Sequence, residues 1–456
     1  MGLRPQRAAL IVAIVMVASL GSGKGSGNTR PAHAAAGVRA YSPANVTVSR
    51  DRYPGHGMPA LATNPRAPRH LLGVAKLFTR EGATLPFTFV SVDNGATWRD
   101  NGPLPLPTGY TFGSSDATVA FSAQGVGFVA AAAWGPTSGA IFIWRTADGG
   151  RSFAAPVAVG RVAITAHTGS VPVGVLPDQP RLAVDTTHGP RAGAVYLAFS
   201  YLTLALPKGT ARPPRTGIVL TSSRDGAHSF APPRWIDGAL ERPNVTVGPT
   251  GIVSVFYGAL FPVGPRLALV RSADGGQRFS TPAVIPVAPV VDPPPAISWV
   301  RYWPSVATDP RDGTLYATLC ALTLDGRHMD SVLTRSRDGG RTWSAPVRIT
   351  RDGLGASADR FQAQLAVTPT GAVYVSYLAL ARGRVTVFLA RSTTQGVNVE
   401  LSQRVSTVAF NPSVGTGDPW VGDYQGLAAG GGTVHPCWTD TRIGTLQIVT
   451  AAMPEE

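Results

Sequence analysis

The sequence predicts an all-β protein: a β-propeller of seven blades, closed by an N-terminal strand in the last blade. Six blades is the alternative if one unit is degenerate. Three observations predict it. A short turn, Ser91-Val-Asp93-Asn-Gly95-Ala-Thr97-Trp98, returns as Ser336-Arg-Asp338-Gly-Gly340-Arg-Thr342-Trp343 and in looser copies centred on Asp148, Asp225 and Asp274. An apolar strand pattern, such as "PRLAVDTT" or "AQLAVTPTG", recurs upstream of each turn. The last unit lacks a fourth strand, while a spare one, "ANVTVS" (Ala44 to Ser49), precedes the first.

The chain begins with Arg4 and Arg7, an apolar run from Ala8 to Leu20, and then Ala32-His33-Ala34. That is the order of a secretory signal, and the run is shorter than the roughly 20 residues of a membrane helix. Residues 1–34 are therefore read as a signal peptide, 35–43 as a linker and 44–456 as one domain. The protein is expected to be exported and soluble, with retention of the segment as an anchor as the alternative.

Each part of the turn has a physical task. The Asp side chain accepts hydrogen bonds from backbone N–H groups a few residues on, the Gly adopts positive φ without steric cost, and the aromatic offers a large surface to the neighbouring sheet. A sixth copy, Ser392-Thr-Thr394-Gln-Gly396-Val-Asn398-Val399, has lost its Asp. These are the needs of a tight hairpin, not of catalysis. A unit then reads as strand A, a Pro/Gly turn, strand B, a variable loop, strand C, the Asp turn and strand D. Many short strands with a periodic Gly/aromatic motif argue a propeller. Pairing the spare N-terminal strand with the incomplete last unit removes an open edge.

Strand parity assigns the faces. The Asp turns all join C to D and lie at the bottom with the A–B turns. The long segments, Gly160 to Pro177, Leu202 to Thr216, Val287 to Val300 and Ser406 to Pro419, are read as top connections. Function concentrates on irregular loops held by a rigid scaffold. Polar residues gather where each strand A begins: Asp178 and Arg181, Glu241 and Arg242, Arg301 and Trp303, Asp359 and Arg360, then Asp418, Trp420, Asp423 and Tyr424. In a ring these positions converge on one top-face pocket. Arginine binds carboxylates in bidentate fashion, and tryptophan offers a flat face to a sugar ring.

The turn S-x-D-x-G-x-[T/S]-[W/F] resembles the Asp box, or BNR repeat, of bacterial sialidase-like propellers. The resemblance covers about residues 90 to 400. It implies the propeller fold and, for an enzyme, a glycoside hydrolase of exo-α-sialidase-like type. Asp boxes also occur in family members without sialidase activity, and fold does not fix function. The family binds its substrate carboxylate with three arginines. Gly57 stands where the first belongs, and Arg181, Arg242, Arg301 and Arg360 are the candidates for the others. The family nucleophile is a tyrosine activated by a glutamate. Tyr424, in "GDYQGLAAGGG", resembles it, and Glu241 is the Glu placed to activate it. The family's acid/base Asp follows the first blade's opening strands, where "LFTREGATLPF" offers Glu81 and no Asp. Asp359, Asp418 and Asp423 are the remaining carboxylate candidates, with Trp303 and Trp420 as sugar-binding aromatics.

The formal charge is +14, almost all from arginine, yet no basic block stands out. Nucleic-acid binding is therefore not expected, while a diffuse positive field favours acidic partners such as cell-wall polymers or acidic glycans. The two cysteines, Cys320 and Cys437, fall in different units and form neither a disulfide framework nor a metal spacing. No HExxH motif occurs, so no cofactor or catalytic metal is expected, and the chain is read as a monomer. Three functions fit: a hydrolase acting on acidic or other extracellular glycans, a non-catalytic glycan- or envelope-binding propeller, and a protein-interaction scaffold.

Overall fold

In the computed structural model the described residues are 43–111, 114–164, 166–168, 171–205, 215–237, 242–261, 264–287, 304–323, 325–400, 402–414 and 419–455. The expected signal segment 1–34 and all of the expected linker 35–43 but Pro43 lie outside them. Seven antiparallel sheets form the ring, a seven-bladed β-propeller. Their strands A, nearest the axis, are Gly55–Thr63, Ser114–Phe121, Val171–Val184, Asn244–Val247, Ser305–Thr308, Asp359–Val367 and Gly426–Gly430.

Strands B and C read as near-continuous apolar runs because both faces of each sheet are covered by neighbours. Gly127–Trp134 and Leu315–Leu322 are examples, buried along almost their whole length. The core is accordingly divided among the gaps between blades. Phe128, Ile141 and Ile143 of the second blade pack on Leu197 and Phe199 of the third. Cys437 and Ile448 of the seventh pack on Leu77, Phe87 and Phe89 of the first. Both cysteines are buried and unpaired, as two structural thiols.

The ring closes as the unmatched ends require. Asn45–Thr47 forms the outermost strand of the seventh blade, antiparallel to Gln447–Ala451, with Val46 opposite Thr450. The contact extends beyond the strand, since Val48 donates its N–H to the Ile448 carbonyl at 2.8 Å. Asn45 Nδ2 also reaches the Val405 carbonyl of the sixth blade at 2.9 Å.

The Asp turns join strands C and D throughout and share one pattern. In the fifth blade Ser336 Oγ donates to Asp338 Oδ1 at 2.8 Å, and Thr342 donates its N–H to the same oxygen at 2.9 Å and its hydroxyl to Oδ2 at 2.6 Å. These bonds hold the carboxyls of Asp148, Asp225, Asp274 and Asp338 well below the usual carboxylate range. In the sixth copy the Thr394 hydroxyl replaces the carboxylate and accepts the Asn398 N–H at 2.9 Å.

At the opposite end of the ring, strand A carries a bulge in at least four blades, marked by register shifts at Gly57/Ala60, Ser115/Thr118, Asp178/Arg181 and Phe361/Gln364. A non-glycine residue with positive φ sits in each: Met58 (φ 57), Asp116 (φ 50), Gln179 (φ 60) and Gln362 (φ 51), with Arg242 (φ 69) just before strand A of the fourth blade. Bulges re-aim side chains and are frequent beside active sites. Two segments read as top loops are in part strand. Val171 to Pro177 lengthens strand A of the third blade, and Leu202 to Ala205 lengthens strand B, so that this blade projects a longer hairpin than its neighbours.

Candidate functional site

The bulged residues form a belt around the axis. Gln179 Oε1 accepts the Arg242 N–H of the next blade at 2.9 Å and the Ser200 hydroxyl at 3.1 Å. Gln362 Nε2 donates to the Gly422 carbonyl of the seventh blade, and Gln425 Nε2 returns a bond to the Gln362 carbonyl at 2.7 Å. The Met58 N–H donates to Thr439 Oγ1 at 3.1 Å. All of these contacts but the Ser200 bond, which lies within the third blade, tie one blade to its neighbour.

Asp116 occupies the same bulge position and differs. Its side chain is 5% exposed, and its Oδ1 is buried without a hydrogen-bond partner among the described residues. Burial pushes its carboxyl up to about 7, with the negative charges of Asp178 and Asp423 adding to the rise and Arg181 and Lys76 opposing it. Desolvation disfavours the charged form of an acid. Asp116 is thus a carboxylic acid poised to hold or release a proton near neutral pH.

Tyr424 lies beside it. Its ring is 3% exposed, its hydroxyl donates to the Ala117 carbonyl at 3.1 Å, and the Arg181 guanidinium lies over the ring at 4.6 Å. Burial raises the phenol well above its ordinary value, and the negative charge of Asp116 raises it further. Arg181 also donates to the Pro180 carbonyl at 2.9 Å. Tyr424 and Arg181 both line a cavity of about 240 Å³ on the axis, to which every blade contributes, from Leu61 in the first to Gly426 in the seventh.

Other expected positions fall differently. Arg360 is 2% exposed and committed to Asp352 through a two-point ion pair, Nε to Oδ2 at 2.8 Å and Nη2 to Oδ1 at 2.7 Å. It further donates to the Ala358 and Gly355 carbonyls, so its fork is occupied by protein. Asp359 accepts the Met329 N–H at 2.9 Å and faces the His328 ring at 3.3 Å. Neither lines the axial cavity; Asp116 and Asp423 are not lining residues themselves but adjoin Ala117 and Tyr424, which are. Trp420 packs with Met58 and Tyr424 and fills the place beside Gly57. A Cβ at Gly57 would come within 3.0 Å of its ring. The slot of the missing arginine is therefore occupied by an indole. Arg242 contributes its backbone to the belt. Asp423 belongs to the cluster through its charge on Asp116 and Tyr424. Glu241, Arg301, Trp303 and Asp418 lie outside the described residues.

Two members escaped the sequence reading. Lys76 sits opposite Gly57 on strand B of the first blade, one of many cations in its sequence context. Asp116 had a usable signal: "SSDATVAF" aligns with "PDQPRLAV", which places Asp116 at the position of Gln179.

A propeller with a carboxyl cluster adjoining an axial cavity is the class that fold and site define. No protein-family model matches the chain, and no curated protein sequence matches it. Among solved structures, a protein of unknown function from Dyadobacter fermentans is similar at 14% identity, covering 91% of this chain and 100% of its own, with a TM-score of 0.51. The Hadza microbial sialidase Hz136 is similar at 12% identity, 86% of this chain, 75% of its own and a TM-score of 0.48. The GH93 α-L-arabinofuranosidase of Fusarium graminearum is similar at 11% identity, 91% of this chain, 98% of its own and a TM-score of 0.47. At such identities the likeness is one of fold.

Proposed function

We propose that this chain is an exported propeller that cleaves glycosidic bonds at its axial cavity, with Asp116, the chain neighbour of the lining residue Ala117, as the proton donor. One observation carries the reading: in a belt where the equivalent Gln179 and Gln362 side chains bond to the next blade, Asp116 is buried, unbonded at Oδ1 and held near neutrality. Glycoside hydrolysis needs one protonated and one ionised carboxyl around the scissile bond. Asp116 gives its proton to the leaving oxygen, and Asp178 or Asp423 supplies the ionised partner that activates water or attacks the sugar. Arg181, held against the Tyr424 ring, orients the substrate. In this reading Tyr424 shapes the cavity, its hydroxyl donating to the Ala117 carbonyl and its phenol raised by burial. The resemblance of the turns to bacterial sialidase-like propellers supports a glycan substrate.

The test is turnover of fluorogenic sialosides, uronic-acid glycosides and neutral glycosides by the wild type, Asp116→Asn and Tyr424→Phe. Asp116→Asn is expected to lose activity by about 100-fold or more, the usual worth of a general acid, and Tyr424→Phe to keep most of it. Abolition by Tyr424→Phe with Asp116→Asn active would overturn the assignment in favour of a tyrosine nucleophile. Glycan binding without any turnover would leave a binding propeller instead.

A further inference from the structure

A second cleft, of about 480 Å³, opens between the second and third blades and shares no described lining residue with the axial cavity. Val162, at the end of the outer strand of the second blade, forms one side. Val175, on the lengthened hairpin of the third blade, also lines the cleft, together with Tyr201, Arg215 and Trp235. Because the Val171–Pro177 extension precedes the bulge at Asp178, the cleft opens at the same end of the ring as the belt.

The three polar-tipped side chains form a stack. The Arg215 guanidinium lies over the Trp235 ring at 4.1 Å, and the Tyr201 ring lies against the same indole at 5.3 Å with 31° between the planes. Phe199 braces Tyr201 edge-on at 5.3 Å. Arg215 is exposed, and no hydrogen bond or ion pair engages its guanidinium among the described residues. None of the described residues lining the cleft is acidic. Most structural arginines find a carboxylate or a carbonyl, as Arg360 does. Arg215 instead has its plane fixed by stacking and its donor fork left open.

An oriented, unpaired guanidinium suits bidentate binding of a carboxylate. Inorganic anions need only the charge, but the cleft is larger and mostly apolar, within the roughly 300–1,000 Å³ usual for small-molecule sites. We infer that the Arg215–Trp235–Tyr201 cleft is a separate binding site for a carboxylate-bearing sugar of an acidic glycan. The carboxylate takes the Arg215 fork, and the C–H face of the sugar ring meets the apolar wall.

The site is tested by binding, in an Asp116→Asn background so that turnover cannot consume the probe. Short oligomers of galacturonate, glucuronate and sialate are titrated, each beside its carboxyl-reduced counterpart, with inorganic phosphate as competitor. At least one acidic oligomer is expected to bind, and Arg215→Ala to weaken it about tenfold or more, in line with one charged hydrogen bond. The carboxyl-reduced form should bind weakly and be indifferent to the substitution. Part of the intrinsic fluorescence change on binding should vanish in Trp235→Phe. Binding of none of the three acidic oligomers, equal binding of acidic and reduced forms, unchanged affinity in Arg215→Ala, or competition by phosphate at the oligomer's own concentration would each overturn the inference. Because binding is read without catalysis, failure of the axial chemistry leaves this result intact, and the reverse also holds.

Discussion

Asp116 and Arg360 show two fates of a buried charge. Asp116 has neighbours of both signs and, among the described residues, no hydrogen bond to its Oδ1, so the folded state prefers it protonated up to about pH 7, against an ordinary value of 3.8. Between those limits the folded chain binds a proton that the unfolded chain does not, so stability falls as pH rises from about 4 to 7 and is level above. The full shift corresponds to an upper figure of about 4 kcal/mol. Asp116→Asn is therefore expected to match the wild type near pH 4 and to exceed it at pH 8 in urea denaturation. Identical pH slopes in the two proteins would contradict the buried acid. Arg360 and Asp352 instead satisfy each other, with the Tyr377 hydroxyl donating to the same carboxylate at 3.1 Å. Arg360→Met leaves Asp352 buried and unpaired, and a loss of about 3–5 kcal/mol is expected with glycan affinity unchanged. A selective loss of affinity at normal stability would return Arg360 to the site. At this scale the sequence was only partly legible. Tyr424 and Arg181 could be placed by their distance from the strand pattern. The partner of Arg360 could not, because Asp352 lies in a preceding loop whose direction no periodicity records.

The Asp turn is a lateral lock between blades. Its second glycine packs on the previous blade: at Gly340, φ is 89° and a Cβ would come within 2.2 Å of a Leu269 methyl, whereas at Gly444, φ 93°, it would meet nothing. Gly340→Ala combines a strained backbone with overpacking and should cost on the order of 3 kcal/mol. Gly444→Ala should cost about 1 kcal/mol, from the backbone alone. Similar thermal midpoints for the two variants would refute the interlocking. The turn carboxylates, held low by their bonds, add stability above about pH 4 that is lost as pH falls below it, opposite in sign to Asp116. These elements were legible because all their information is local, from a Ser or Thr and an Asp two residues later to the Gly that completes the turn. The lengthened hairpin of the third blade was read as loop because "VPVGVLP" carries Pro and Gly inside a strand. Its pairing is supplied by "LTLA" on the partner strand, and a linear reading does not see it.

The whole molecule depends on one pairing between its two ends. Asn45–Thr47 completes the seventh blade, and on the bottom face Asn94 of the first blade donates to Thr433 of the seventh at 2.7 Å and meets the His435 ring at 3.1 Å. A chain lacking residues 1–50 should lose its clasp strand and expose the edge of Gln447–Ala451. Its thermal midpoint should drop by many degrees, and it should associate through that edge in sedimentation. An unchanged melting curve would show that the turns alone close the ring. The seven units were legible as repeats, and the clasp as a mismatch between one missing and one spare strand. The axial cluster was not, since it exists only once the units stand in a circle. The clasp also fixes an order in time. Val46 is among the earliest of these residues to be made, and its partner Thr450 among the last. At about 5–20 residues per second of synthesis, the first strand waits for tens of seconds before anything exists for it to join. Every shorter intermediate is an open arc with two bare edges, so during that interval the chain's safety rests on whatever keeps those edges apart, and the finished ring is sealed in a single late event.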